Sequence, residues 1–207
     1  MSSHHVVRDE QEPALFIIEP EASNLEFIQQ LLEWSPTLVV VEQALDQVLQ
    51  WGIKIDVVVC QETSFENIRT QTTNQYPIEI IAVNDNLVEH GLKYLYHRNH
   101  ASVNIITQFD QDLVKRDFLE KMDVIVFSHE FKAFYVAQGA WKKWVTADTL
   151  FKVLPIATEI PPQTENLIPY VDVAYQPNEQ YLKPAHEGFI QVSHPDHPFW
   201  VFEKVGA

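Results

Sequence analysis

Thr37-Leu-Val-Val-Val-Glu42, then Gln43 to Gln50, then Trp51-Gly-Ile-Lys-Ile-Asp56 running into Val57-Val-Val-Cys60, reads as strand, helix, turn and strand. Both strands are continuous apolar runs, as expected where a sheet is covered on both faces. Strands joined through a helix in this way lie parallel, and in open α/β sheets ligands bind beyond the carboxyl ends of the strands. Glu42 closes the first strand, and Gln61, Glu62, Thr63 and Ser64 follow the second. These five residues are therefore the first candidates for a functional site.

The same alternation extends outward along the chain. Ala14 to Ile18 reads as a strand, and Asn24 to Trp34 carries helical apolar spacing at Leu25, Ile28, Leu31 and Leu32 with Ser23 or Asn24 as cap. Ser64 to Asn74 is polar and ends at Pro77, before a strand over Ile78 to Val83. A helix over Leu87 to Tyr96, a strand over Ser102 to Thr107, a helix over Asp110 to Lys121 and a strand over Asp123 to Phe127 complete the series. This pattern predicts a mostly parallel, Rossmann-like sheet.

Beyond Ser128 the period changes. Lys132 to Val136, Trp141 to Val145, Leu150 to Leu154, Tyr170 to Tyr175, Phe189 to Ser193 and Phe199 to Val205 are short aromatic or β-branched runs divided by Pro, Gly and Asn, an antiparallel β signature. The expected organisation is a mobile tail over 1–13, an α/β domain over 14–128 and a small antiparallel β-sandwich over 129–207.

Composition narrows the function classes. A formal charge of -15 over 207 residues argues against nucleic acid or an anionic membrane as partner, since both need a basic face. The five glycines are scattered singly, so no glycine-rich loop brings backbone N–H groups onto a phosphate. One cysteine, Cys60, excludes an internal disulfide and a Cys-rich zinc site. With no apolar stretch of signal or span length, a soluble cytoplasmic protein is expected.

The strand ending on Glu42, the Gly52 to Asp56 turn and the Cys60 to Ser64 segment together resemble the thiamine pyrophosphokinase family. There a strand ends in Asp-Gly-Gly, and a Gly-x-x-Pro-Asp turn leads into Gly-Asp-x-Asp-Ser. Gly52, Asp56 and Ser64 match and Glu42 stands for the first Asp. Cys60 replaces the Gly, and Gln61 and Thr63 replace two aspartates that help hold magnesium on the nucleotide phosphates. The family's Asp-Thr-Asp-Leu-Glu falls on Asp85-Asn-Leu-Val-Glu89 without its middle acid. Its Gly-Gly-Arg-x-Asp-His loop has no counterpart after Thr107. Asp123 to Gly139 followed by Phe151 to Ile156 looks like its crossing from α/β to β domain. Its Ser-Asn thiamine element is missing from Lys183 to Gly188.

The resemblance implies transfer of diphosphate from ATP to thiamine, with Mg2+, in a homodimer. Its implied catalytic set is Glu42, Asp85 and Glu89, with Asp56, Gln61, Glu62, Thr63 and Ser64 completing the nucleotide and metal region and Glu42 with Asp85 the magnesium ligands. Loss of much of the charge-neutralising set points to reduced or absent activity. The rival reading is a non-catalytic binding or interaction protein on the same scaffold. Glu42, Glu62, Asp85 and Glu89 can converge as a hard-cation site or be solvated loop and helix-start acids. His194-Pro-Asp-His197 reads as a metal site or as a tight turn, and Cys60 as a small core residue.

Overall fold

The computed structural model describes residues 12–156, 160–170 and 181–205. The chain divides into two compact units, Met1–His129 and Glu130–Ala207.

In the first unit the strands are β1 (Ala14–Ile17), β2 (Leu38–Val41), β3 (Val57–Gln61), β4 (Glu79–Val83), β5 (Ser102–Ile106) and β6 (Asp123–Ser128). They form a parallel array in the order β6-β5-β1-β2-β3-β4. The register sets Leu15 opposite Leu38, Val39 opposite Val57 and Val58 opposite Ile80. The side chains of β1 and β2 are all buried, which is why their sequences run apolar rather than alternating.

Helices α1 (Leu25–Leu32), α2 (Glu42–Gln50), α3 (Phe65–Gln71), α4 (Leu87–His97) and α5 (Arg116–Leu119) connect the strands. Asn24 caps α1, its Oδ1 accepting from the Phe27 N–H at 2.8 Å. Asn86 caps α4 in the same way, accepting from the Glu89 N–H at 3.0 Å. Helix α4 lies close on the sheet because it presents Gly91 to the Phe16 ring of β1.

Two helices depart from expectation. The expected helix over Asp110 to Lys121 shrinks to α5, because Asp110 turns the chain first. Its Oδ1 accepts from the Asp112 N–H at 2.9 Å, and Lys115 is extended at φ -60° and ψ 142°. The polar stretch after Ser64 instead forms α3, seated on one buried apolar residue, Ile68.

The second unit holds β7 (Phe131–Val136), β8 (Gly139–Val145), β9 (Phe151–Pro155), β10 (Gln163–Glu165), β11 (Leu167–Tyr170), β12 (Tyr181–Pro184), β13 (Gly188–His194) and β14 (Phe199–Lys204). The order β11-β12-β9-β14-β7 makes one antiparallel layer and β10-β13-β8 the other. Between the layers pack Val145, Phe151, Leu167, Ile190, Val192, Phe199 and Val201, with Trp141 and Val153 against them. Two facing antiparallel layers over an apolar core are a β-sandwich. Of the strand expected over Tyr170 to Tyr175 only Tyr170 falls among the described residues. Among these residues the helices all belong to the first unit, and no helix is long and apolar enough to cross a membrane.

Candidate functional site

The chain builds β1 to β4 outward in one direction and then returns to place β5 on the other side of β1. Strand order therefore reverses between β1 and β5, where sheets of this kind open a crevice at their carboxyl ends. Glu19, just past β1, spans that point. Its Oε2 accepts from the Thr107 hydroxyl at 2.9 Å and from the Gln108 N–H at 2.7 Å. The signal for Glu19 was an acid directly after an apolar strand, the pattern that singled out Glu42.

Glu42 lies at the carboxyl end of β2, in the first turn of α2 where a negative charge suits the helix N-terminus. Its Oε2 accepts from the Gln61 N–H at 3.1 Å and its Oε1 from the Gln43 amide at 3.3 Å. Gln61 Nε2 in turn donates to the Asp85 carbonyl at 3.2 Å. One row of hydrogen bonds thus links the ends of β2, β3 and the segment after β4. Cys60 beneath it is fully buried, and burial followed by the Glu42 charge pushes its thiol pKa up. An inert thiol follows.

Glu62, Thr63 and Ser64 form a single 3-10 turn between β3 and α3, with Glu62 and Thr63 exposed. Asp85 is exposed and its Oδ1 lies 2.7 Å from His90 Nε2. Glu89, one turn into α4, is the most heavily engaged of the acids at this edge. Lys93 Nζ stands 2.8 Å from one oxygen and Lys115 Nζ 2.5 Å from the other. Hydrogen bonds from Lys115 and then Lys93 hold its carboxyl down to about 2, while Glu89 pushes the Lys115 ammonium up. The Glu89 and Lys93 pair was legible as an i,i+4 spacing. Lys115, distant in sequence, had no such signal.

Asp56 is the residue the structure separates from the rest. It precedes β3, and its Oδ2 accepts from the Leu38 N–H at 2.8 Å at the start of β2. That is the amino edge of the sheet, a full strand length from Gln61, because parallel strands put all their starts on one side. Asp56 is a tie between two strands there, apart from the nucleotide and metal region expected of it.

The other expected ligands do not assemble. Among the described residues no three His, Cys, Asp or Glu side chains come together as a metal site. Of the four acids that could converge on one cation, Glu42 accepts from Gln61, Asp85 meets His90, Glu89 meets Lys93 and Lys115, and Glu62 is exposed. Magnesium takes hard oxygen ligands and is held by carboxylates together with substrate phosphates. With Glu42, Asp85 and Glu89 engaged one by one and Gln61 and Thr63 neutral, this edge does not fit it. In the second unit, His194 Nδ1 accepts from the Asp196 N–H at 3.2 Å and the His197 N–H at 3.0 Å, so that nitrogen closes a turn.

No family model matches the chain, and no curated protein matches it in sequence. Solved structures do match it in fold. The thiamine pyrophosphokinase of Bacillus subtilis superposes with a TM-score of 0.65 at 10% identity, covering 94% of this chain and 100% of its own. That of Geobacillus thermodenitrificans gives 0.66 at 10% identity, covering 94% and 98%. The yeast thiamin pyrophosphokinase gives 0.57 at 9% identity, covering 98% and 88%. The chain is thus similar over nearly its whole length to the thiamine pyrophosphokinase fold, a parallel sheet with helices followed by antiparallel strands.

Proposed function

We propose that this chain is a thiamine pyrophosphokinase-like protein that has given up magnesium-dependent diphosphate transfer and acts as a binding or interaction protein on that scaffold. The observation that supports this reading is Glu89, an acid the resemblance placed in the catalytic set, which is neutralised by Lys93 and Lys115. Phosphoryl chemistry depends on positioning and on neutralising charge as it moves. Loss of one preorganised stabilising group typically costs about 10²- to 10³-fold in rate, and Gln61 and Thr63 are two such losses.

Purified protein given ATP, Mg2+ and thiamine is expected to form thiamine diphosphate far below the rate of an ordinary kinase. Gln61→Asp combined with Thr63→Asp is expected to strengthen magnesium binding in calorimetry and to raise any residual transfer. Robust product formation by the unaltered chain would overturn the proposal. Residual transfer is the second reading, favoured by Glu42 and Asp85 standing at the same sheet edge. Calorimetry with ATP and with thiamine separately tests whether either is still a ligand.

A homodimer belongs to the same reading. Trp144 and Phe189 pair across β8 and β13, and both are exposed. Exposed aromatics on one face mark an interaction surface, and two-fold symmetry is the commonest way to cover one. Light scattering at about 10 μM is expected to give a dimer for an affinity near micromolar, and a monomer there would count against it.

A further inference from the structure

At one end of the sandwich the apolar interior gives way to a charged cluster. Glu203 follows Phe199 and Val201 at every second position of β14 and so continues their inward face. It is nearly fully buried, and two ammonium groups meet it. Lys143 of β8 holds both oxygens, at 2.7 and 2.5 Å, while Lys132 of β7 stands 3.3 Å from Oε1. The Phe134 ring lies within reach of both ammoniums, 5.8 Å from Lys132 Nζ and 6.0 Å from Lys143 Nζ, with Trp141 packed on it at 5.6 Å.

One carboxylate cannot neutralise two ammonium ions. Lys143 takes the close two-point contact, so Lys132 keeps the weaker share of Glu203 while facing the like charge of Lys143. Removal from water and a neighbouring cation both favour the neutral amine, and a lysine in that situation is activated as a nucleophile toward carbonyl compounds. Burial, opposed by Glu203 and aided by Lys143, does hold the Lys132 ammonium below its ordinary value. A quarter of its side chain remains exposed. Glu203 from β14 and Lys143 from β8 are the charged groups described around it.

We propose that Lys132, set between Glu203, Lys143 and the Phe134 ring, is a reactive-amine site that takes small aldehydes as a Schiff base. The neutral Nζ attacks the carbonyl carbon and a carbinolamine forms. Loss of its hydroxyl as water then leaves the imine, so that one water departs for each carbon–nitrogen double bond made and no oxidant or reductant takes part. Glu203 is placed to accept the proton shed by the amine and to return it to the departing hydroxyl. This site belongs to the second unit alone and is independent of the reading of the sheet edge.

The test uses the full chain with propionaldehyde, trapping the imine with cyanoborohydride and following each lysine by peptide mass spectrometry. At neutral pH Lys132 is expected to be labelled several-fold faster than the exposed Lys142. Labelling of Lys132 no faster than Lys142 would overturn the proposal. Lys143→Met leaves Glu203 to pair with Lys132 alone, so the pH profile of Lys132 labelling is expected to move upward and its rate at neutral pH to fall several-fold. An unmoved profile in a variant with native circular dichroism would likewise sink it, since the proposal makes the Lys143 cation one of the groups that favour the neutral Lys132 amine.

Discussion

Replacing Gly91 by alanine adds one methyl group to a helix, a change that ordinarily stabilises by about 0.8–1.0 kcal/mol through helix propensity. Here the opposite sign is expected. A Cβ at this position would lie 2.5 Å from Phe16 Cζ and 2.7 Å from Cε1, well inside contact distance. Phe16 is fully buried in β1, whose neighbours on either side are β2 and β5, so the ring has no free space to enter. Overpacking costs about 1–3 kcal/mol; a 2.5 Å approach to a fully buried ring belongs in the upper part of that range, about 2–3 kcal/mol, and with the propensity gain deducted the net loss is about 1–2 kcal/mol. For a chain of this size that corresponds to a fall in Tm of about 2–8 °C. Thermal and urea unfolding of Gly91→Ala, followed by circular dichroism, measure it. Phe16→Leu in the same background is expected to recover part of the loss, because the two positions are in contact and their effects do not add. A Gly91→Ala protein as stable as the parent would refute the close helix–sheet approach inferred for α4.

Three further outcomes follow from individual bonds. Asp56→Ala leaves the buried Leu38 N–H without its acceptor and is expected to cost about 1–3 kcal/mol in urea unfolding, with no effect on any ligand bound at the opposite edge. Asn86→Ala removes the cap of α4 and is expected to cost about 1 kcal/mol, read by the same melts. Glu89 has its carboxyl held at about 2, below its ordinary value of 4.5. Its contribution to stability is therefore complete above about pH 4.5 and is lost as pH falls toward 2. A urea midpoint series through that window is expected to fall less steeply for Glu89→Gln than for the parent, and parallel slopes would contradict the double ion pair.

The parallel sheet was legible because buried parallel strands have few other spellings: Leu38 to Val41 and Val57 to Cys60 are apolar throughout, and the intervening segment is short. Helix α3 was not, because only Ile68 and Thr72 are buried along its face and neither makes a periodic stripe. Strand β10 is exposed at all three residues and exists through its pairing with β13, which no local pattern announces. At the site, the sheet edge followed from strand ends alone, and so did the positions of Glu42, Gln61 and Asp85. What occupies the acids did not. Lys115 reaches Glu89 across more than twenty residues of chain, and such a contact becomes visible only once the loop after β5 is folded. Asp56 shows the reverse case: a residue matched to a motif by type, whose place at the start of a strand puts it on the edge away from the others.

The division of labour between the two units gives each a distinct optical signature. Helical circular dichroism arises from α1 to α5, all within the first unit among the described residues. Trp34 is 71% exposed, whereas Trp200, in the second unit, is 1% exposed with Tyr135 at 5.3 Å between ring centroids. On unfolding, an indole already in water changes its emission little, and one leaving a packed interior shifts strongly to the red. Trp51 of the first unit is half-buried and adds a smaller share, so fluorescence is weighted toward the loss of the sandwich, while the helical signal follows the loss of the parallel sheet and its helices. A single denaturant titration read both ways thus separates the stabilities of the two halves: coincident curves mean that they melt as one cooperative body, and a gap between midpoints measures how independently each half stands.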